Sequence, residues 1–365
     1  MTAFAPREQV PLAGLTTIGV GGPARWFVTA TDAADVRASH SWCRDRGVPL
    51  WVLGGGSNVV VSDDGFDGLV LQIAIGGSRA DTSGERLMLE AGAGEPWDAV
   101  VGRLVADGWA GAECLSGIPG TVGGTPIQNV GAYGQEVASI VEAVRAFDGD
   151  TGEMVELDAA GCGFSYRHSR FKGEDAGRFV ICGVRFRLTR GAPTLTYPDV
   201  QRWLGAQGLA SPALGDVRSA VLAIRRSKGM VADGVDPDAR SVGSFFMNPV
   251  IAATDRERLA ARTGQDVPAR TVAGGRVRVP AAWLIERAGW ARGAGEGPVG
   301  ISPRHPLAIV NRGGARAADI IEFAARVKRR VADRLGVWLQ PEPVFVGFDG
   351  AAELPDLEYL RKAHP

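Results

Sequence analysis

Short apolar runs and amphipathic stretches alternate along the first third of the chain. Residues 24–30 (ARWFVTA) predict a strand, and 32–46 predict a helix behind a cap at Thr31 or Asp32. The apolar run 49–53 (PLWVL) is a second short strand, leading into Gly54-Gly55-Gly56-Ser57-Asn58 and then 59–62. Further strands are expected at 69–75 and 86–91, and a helix at 96–107 that stops near Gly108. Beyond the middle of the chain's first half, strand-like segments fall at 141–147, 153–157 and 179–188, followed by helical character at 216–227. The last third predicts a helix at 281–288, a strand at 307–310, a long amphipathic helix at 317–335 and a closing strand at 343–346. No internal repeat is visible. The elements add up to a mixed α+β chain in more than one domain, as a length of 365 residues also suggests.

Residues 115–136, LSGIPGTVGGTPIQNVGAYGQE, fit neither period. They hold Gly117, Gly120, Gly123, Gly124, Gly131 and Gly134, with Ser116, Ile118, Gln128 and Asn129 among them and no charge before Glu136. The segment is too irregular for a helix or strand and too apolar for a linker. Glycine serves where backbone turns through positive φ or approaches another group closely. Tight turns in a β-rich protein therefore account for any one of these residues as well as a ligand does. Six of them beside two amides favour a cradle of backbone N–H groups for a phosphate-bearing ligand. Residues 53–58 (LGGGSN) offer a second cradle, with the Ser57 and Asn58 side chains as further partners. Alone, that motif is also an ordinary glycine hairpin. Together the two suit both ends of a long dinucleotide such as FAD. Residues 19–24 match a GxGxxA dinucleotide fingerprint by letter only. Residues 11–17 make a poor strand, and 24–30 continue as a strand where a helix is required.

Charge and composition add exclusions. Lys and Arg number 40 against 41 Asp and Glu, so nothing marks a surface for nucleic acid or an anionic membrane. The opening MTAFAPREQVPLAG has no apolar signal core, and no apolar run is long enough to cross a bilayer. Cys43, Cys114, Cys162 and Cys182 are too widely spaced for a CxxC site or a disulfide framework. His40, His168, His305 and His364 are too scattered for a metal cluster. A soluble cytoplasmic protein without a metal is expected.

Several polar positions break the local pattern. Residues 166–172 (YRHSRFK) place Tyr166 beside Arg167, and a guanidinium fork suits a carboxylate. A surface arginine in a charged loop is the plainer account of Arg170. Tyr197 precedes Pro198 and so belongs on extended or turn-like backbone. Lys228, after Arg225-Arg226-Ser227, suits a diphosphate, unless the run is only a solvated helix end. Residues 243–249 (GSFFMNP) set Ser244 between a glycine and two aromatics, a dry place for a hydroxyl. Glu342 stands between Pro341 and Pro343, where an exposed turn residue would equally be found. Three of the four tyrosines, Tyr133, Tyr166 and Tyr197, lie in these segments. A shared site explains that clustering, and so does aromatic packing.

In their order and spacing, LGGGSN, SGIPGTVGGTPIQNVGAYGQE, FSYRHSRFK, LTYPDV, GSFFMNP and WLQPEPVFVG resemble the UDP-N-acetylenolpyruvoylglucosamine reductases, over residues 15–347. LTYPDV is similar to the subclass whose tyrosine loop closes over the sugar nucleotide. There are departures: Thr16 stands where asparagine is common, and Met247 replaces a frequent lysine. The connection 229–241 is longer than usual, and its role is open.

The resemblance implies an FAD-binding fold of the vanillyl-alcohol-oxidase type in two subdomains, 1–75 with 341–365 and 76–228, plus an α/β substrate domain at 229–340. It implies an enzyme of peptidoglycan precursor synthesis; separately, a monomer is expected. NADPH would reduce non-covalent FAD and leave before UDP-N-acetylglucosamine enolpyruvate enters the same cleft. Hydride would then pass from flavin N5 to the vinyl terminus, giving UDP-N-acetylmuramate. The cofactor-binding positions carried over are Gly54, Gly55, Gly56, Ser57 and Asn58, with Ser116, Gly117, Ile118, Gly120, Gly123, Gly124, Gln128, Asn129 and Gly131. Arg167 and Glu342 would polarise the substrate carboxylate, and Ser244 would protonate the neighbouring carbon. Tyr133, Tyr166, Tyr197, Lys228, Asn248 and His305 match substrate-binding positions, Tyr197 and Lys228 towards the diphosphate. A histidine before Pro306 also caps a turn. Two other readings stay open: a flavin-fold oxidase that uses oxygen, and a non-catalytic sugar-nucleotide sensor. Such oxidases often tether FAD through a histidine, and none of the four histidines lies in the glycine loops.

Overall fold

The computed structural model describes residues 4–231, 234, 236–348 and 355–362. The chain forms two compact units: Met1–Val10, Ala24–Gly56 and Asp67–Ser227 in the first, and Pro11–Pro23, Ser57–Phe66 and Lys228–Pro365 in the second.

The first unit holds two sheets. Four strands lie in the order Arg7–Pro11, Pro23–Ala30, Phe66–Ile73, Leu50–Leu53, the last pair parallel. Helix α1 (Ala33–Arg46) makes the crossover to Leu50–Leu53. Asp32 is its cap, accepting from the Ala34 and Asp35 N–H groups at 2.8 and 2.9 Å, while Thr31 donates to Asp35 instead. An antiparallel sheet follows, in the order Met154–Asp158, Val141–Asp148, Phe179–Thr189, Arg86–Gly92, Ser78–Ser83. Helix α2 (Trp97–Ala106) buries Trp97, Val100, Val101 and Leu104, and Gly108 turns its end at φ +79°. Helices α3 (Pro198–Ala206) and α4 (Leu214–Ser227) pack Val200, Leu204, Val217, Val221 and Ile224 with Cys114.

The second unit is built around a long amphipathic helix. Helices α5 (Ala253–Thr263) and α6 (Ala281–Arg287) precede it, and α7 (Ala317–Leu335) buries Ile320, Ile321, Ala324, Val327, Val331 and Leu335. Short paired strands flank it: Val299–Ile301 with Ile309–Asn311, and Val344–Val346 parallel to Val59–Val61. Helix α8 (Pro355–Arg361) is held to α7 by a buried lysine. The Lys328 Nζ donates to the Leu360 and Lys362 carbonyls at 2.9 and 2.7 Å and lies 5.4 Å from the rings of Trp338 and Tyr359. A cation at carbonyls that end a helix is favourable, although burial pushes the ammonium down to about 8.

Some elements departed from the periodic pattern for local reasons. Ser78–Ser83 (SRADTS) is exposed at every position and is held by backbone pairing alone, so it has no alternation to read. Helix α5 buries only Leu259, and α3 starts at a proline; neither was expected. Residues 19–24 run directly into the strand Pro23–Ala30, and a Cβ on Gly22 would meet the Asp63 carbonyl at 2.2 Å. Packing is what calls for that glycine. No helix among the described residues is long and apolar enough to cross a membrane.

Lys328→Met preserves the apolar stem but leaves two helix-end carbonyls without their donor. Each unsatisfied buried acceptor costs about 1–3 kcal/mol. Thermal unfolding should therefore show a lower Tm, with faster amide exchange in α8. Unchanged values would mean that the clamp is dispensable.

Candidate active site

The two glycine loops touch through bare backbone. A Cβ on Gly55 would lie 2.6 Å from the Gly120 Cα, and one on Gly54 would lie 3.2 Å from the Thr121 Oγ1. The N–H groups of Gly55, Gly56 and Gly120 find no partner among the described residues. The loops therefore back one another and offer open donors of the kind that bind a diphosphate. Helix α2 pins the second loop. The Gly117 N–H donates to Asp98 Oδ1 at 2.6 Å, and the Trp97 N–H donates to the Gly120 carbonyl at 3.0 Å. Asp98 also accepts both arms of Arg218, at 2.6 and 3.0 Å. Burial alone would raise the Asp98 carboxyl, but Arg218 and the Gly117 N–H hold it below its ordinary value.

Four non-glycine residues among those described have a left-handed φ, and three are Asn129 (44°), Tyr133 (48°) and Arg167 (55°). Such backbone costs of order 1–3 kcal/mol and gathers at functional sites. Tyr166 and Arg167 form the corner of a hairpin closed by Ser165 and His168, whose N–H groups donate to each other's carbonyls at 3.0 and 3.1 Å. The Arg167 guanidinium donates to the Gly131 carbonyl at 2.6 Å and lies 5.3 Å from the Tyr166 ring. Asn129 ties the same pieces together: its amide donates to Glu136 at 2.9 Å and to the Ser165 carbonyl at 3.0 Å. Arg170, by contrast, pairs with Asp175 at 2.6 Å and donates to the Gly161 carbonyl.

Tyr197 takes extended backbone (φ −99°, ψ 122°) and caps α3, with Pro198 as the first helical residue. Its ring meets Tyr133 edge-on at 5.1 Å. Burial pushes the Tyr133 phenol up to about 12 and raises Tyr197 too, so both remain donors at neutral pH. Arg225 bonds the Tyr133 hydroxyl, and its Nε donates to the Gly117 carbonyl at 3.0 Å. A solvated helix end is one of the two accounts of the run 225–227, and it fits Arg226, which is exposed. Arg225 is instead buried, on the stripe begun by Leu214, Val217 and Val221. That spacing was its available signal. Glu113, also buried beside the loop, gave none.

The remaining candidates lie in the second unit. Ser244 starts an extended segment held between two others. It bridges Ala308, and the next residue, Phe245, donates its N–H to the Leu307 carbonyl at 2.8 Å. On the other side, the Glu342 N–H donates to the Phe245 carbonyl at 2.9 Å, so Ser244 and Glu342 are near neighbours in register. Phe245 and Phe246 are fully buried, and Ser244 is half-buried. Asn58 secures Glu342 from behind, its Nδ2 donating to the Glu342 carbonyl at 3.3 Å. Asn248 accepts from the Ala281 N–H at 2.8 Å at the start of α6. His305 stands at a turn closed by the Ala308 N–H. Next to it, Arg304 pairs with Asp236 and Asp238, and it holds Asp236 below the usual carboxylate range. This bridge gives the connection 229–241 a structural use; residues 232, 233 and 235 of it lie outside the described residues.

Residues 24–158 match the family model described as "FAD binding domain". With two facing glycine loops that offer bare N–H groups, this defines the chain as an FAD-dependent oxidoreductase. Residues 236–346 match the model described as "UDP-N-acetylenolpyruvoylglucosamine reductase, C-terminal domain". The UDP-N-acetylenolpyruvoylglucosamine reductase of Thermobifida fusca is 46% identical over 357 residues, 95% of this chain and 99% of the relative. That of Streptomyces coelicolor is 47% identical over 349 residues, 93% of this chain and 90% of the relative. The crystal structure of UDP-N-acetylenolpyruvylglucosamine reductase from Thermus caldophilus superposes with a TM-score of 0.64 at 27% identity, covering 94% of this chain and all of that one. The chain belongs to the UDP-N-acetylenolpyruvoylglucosamine reductase family.

Gly55→Ala should drive the two loops apart. Overpacking of this kind costs about 1–3 kcal/mol, so the FAD dissociation constant should rise by roughly ten- to a hundred-fold in a flavin fluorescence titration. An unchanged constant would show that the loops do not hold the cofactor jointly.

Proposed function

We infer that this protein uses NADPH and non-covalently bound FAD to reduce UDP-N-acetylglucosamine enolpyruvate to UDP-N-acetylmuramate in peptidoglycan precursor synthesis. The observation that carries this reading is the match of nearly the whole chain to reductases of that name, with the motif residues set on the loops described above. The FAD-binding part comprises 1–75 with 341–365, and 76–228; the substrate part is 229–340. A four-stranded sheet drawn from residues 7–73 and an antiparallel sheet from 78–189 support the first boundary. The parallel pairing of Val344–Val346 with Val59–Val61 supports grouping the tail with the first segment; residues 349–354 and 363–365 of that tail lie outside the described residues.

Gly54–Gly56 with Ser57 and Asn58, and the loop from Ser116 to Gly131, hold FAD. Bound FAD supplies the two-electron relay between NADPH and the vinyl terminus of the substrate. Arg167 takes the substrate carboxylate in its guanidinium fork, and Glu342 polarises the same group when it carries a proton. Hydride addition at the terminal carbon leaves the neighbouring carbon electron-rich, with charge spread into the carboxylate, where fixed donors lower the barrier. The Ser244 Oγ–H gives its proton to that carbon, and solvent restores the hydroxyl. Tyr197 and Lys228 bind the diphosphate; Tyr133, Tyr166, Asn248 and His305 line the rest of the substrate. The enzyme acts as a monomer in the cytoplasm, and without a nucleic-acid or membrane partner; a net charge of −1 supports the last of these alone.

Ser244→Ala tests the division of labour. The variant should bind FAD and be reduced by NADPH at nearly the normal rate, while turnover falls by roughly 10²–10⁴, as expected for loss of a positioned acid. Rapid mixing follows the two half-reactions separately. Slow reduction by NADPH with normal reoxidation would move Ser244 to the nicotinamide step.

A further inference from the structure

A fully buried carboxylate lies behind the two facing tyrosines. Glu113 is 0% exposed and sits just ahead of the cofactor loop. Its Oε2 accepts from the Gly111 N–H at 2.8 Å. Its Oε1 accepts from the Gln135 side chain at 2.8 Å and from the Thr194 N–H at 2.7 Å. Gln135, also buried, donates to the Thr194 Oγ1 at 2.9 Å and accepts from the Cys114 N–H at 2.8 Å. Three separate stretches of chain therefore converge on one acid–amide pair. Burying a carboxylate is costly unless bonds of this number compensate, and a satisfied buried network fixes geometry in a way apolar packing does not.

The geometry it fixes leads to Tyr197. Thr194 stands three positions before it. Between them, Thr196 lies so close to Gly134 that a Cβ there would meet its Oγ1 at 2.1 Å. Tyr133, the neighbour of Gly134, meets the Tyr197 ring edge-on. Tyr197 itself is 39% exposed, so its placement depends on this backbone anchorage more than on enclosure of its ring.

We propose that Glu113 is a positioning residue for substrate binding: through Gln135 and Thr194 it locks the segment 194–197 onto 133–135 and sets where the Tyr197 hydroxyl meets the diphosphate of the sugar nucleotide. The proposal rests on the reading of Tyr197 as a diphosphate ligand. The Ser116 hydroxyl donates to the Glu113 main-chain carbonyl at 2.7 Å, a turn contact that does not involve the carboxylate and that Glu113→Gln leaves in place.

The test uses the FAD-loaded full-length enzyme and four variants: Glu113→Gln, Thr194→Val, Tyr197→Phe and the double variant of Glu113 and Tyr197. In Glu113→Gln an NH2 group faces N–H donors whichever oxygen it replaces. The KM for the enolpyruvyl substrate should rise about ten-fold, while flavin reduction by NADPH stays within about two-fold. Thr194→Val, which removes one acceptor and keeps the shape, should raise KM by about three-fold. The double variant should be little worse than Tyr197→Phe alone, because both changes disable one contact. A normal KM in folded Glu113→Gln, or effects that multiply in the double variant, overturns the proposal. If Glu113→Gln does not fold, a normal KM in Thr194→Val overturns it. A normal KM in Tyr197→Phe instead removes the reading of Tyr197 on which the proposal stands.

Discussion

Gly55 and Gly120 approach so closely that no side chain fits at Gly55, and much of the first unit is arranged around that contact. It lets two loops from distant parts of the chain share a wall of backbone, with N–H groups left over for a phosphate-bearing cofactor. Neither glycine stretch carries a charge before Glu136, so what the loops themselves offer an anionic group is oriented N–H dipoles. The contact needs support from behind. Helix α2 provides it, with Trp97 bonded to the Gly120 carbonyl and Asp98 to the Gly117 N–H. Arg218 in turn steadies Asp98 from α4.

The far half of the same loop is anchored separately. From Asn129 to Glu136 the backbone passes twice through left-handed conformations, and the hairpin of Tyr166 and Arg167 is clasped to it through Gly131 and Asn129. Asn129, Gly131 and Tyr133 thus follow the glycine loop on one continuous stretch of chain. In the second unit, Ser244 and Glu342 lie on neighbouring extended segments, where the Glu342 N–H donates to the Phe245 carbonyl.

Much of this was legible before the structure. The helix at 317–335 followed from its period, and side-chain chemistry narrowed the first helix's cap to Thr31 or Asp32, of which Asp32 is the one used. The extended backbone at Tyr197 followed from Pro198. What stayed hidden has a common cause. Ser78–Ser83 is a strand only because Arg86–Gly92 lies beside it, and nothing in its own residues says so. Arg225 looked like a charged helix end, yet its face of α4 is the buried one. Glu113 resembles any loop acid until Gln135 and Thr194, far off in sequence, are brought to it. Polar groups whose partners are distant carry no local pattern; apolar periodicity and proline do.

One measurement tests the central claim, that a single flavin site moves electrons from NADPH to an enolpyruvyl sugar nucleotide. The purified yellow protein is kept strictly free of oxygen and its visible spectrum followed, first on adding NADPH and then on adding UDP-N-acetylglucosamine enolpyruvate. The account predicts that NADPH bleaches the flavin band and that the enolpyruvyl compound alone restores it, in a stoichiometric amount. Colour that returns only when air is admitted would make the protein an oxidase and contradict the account.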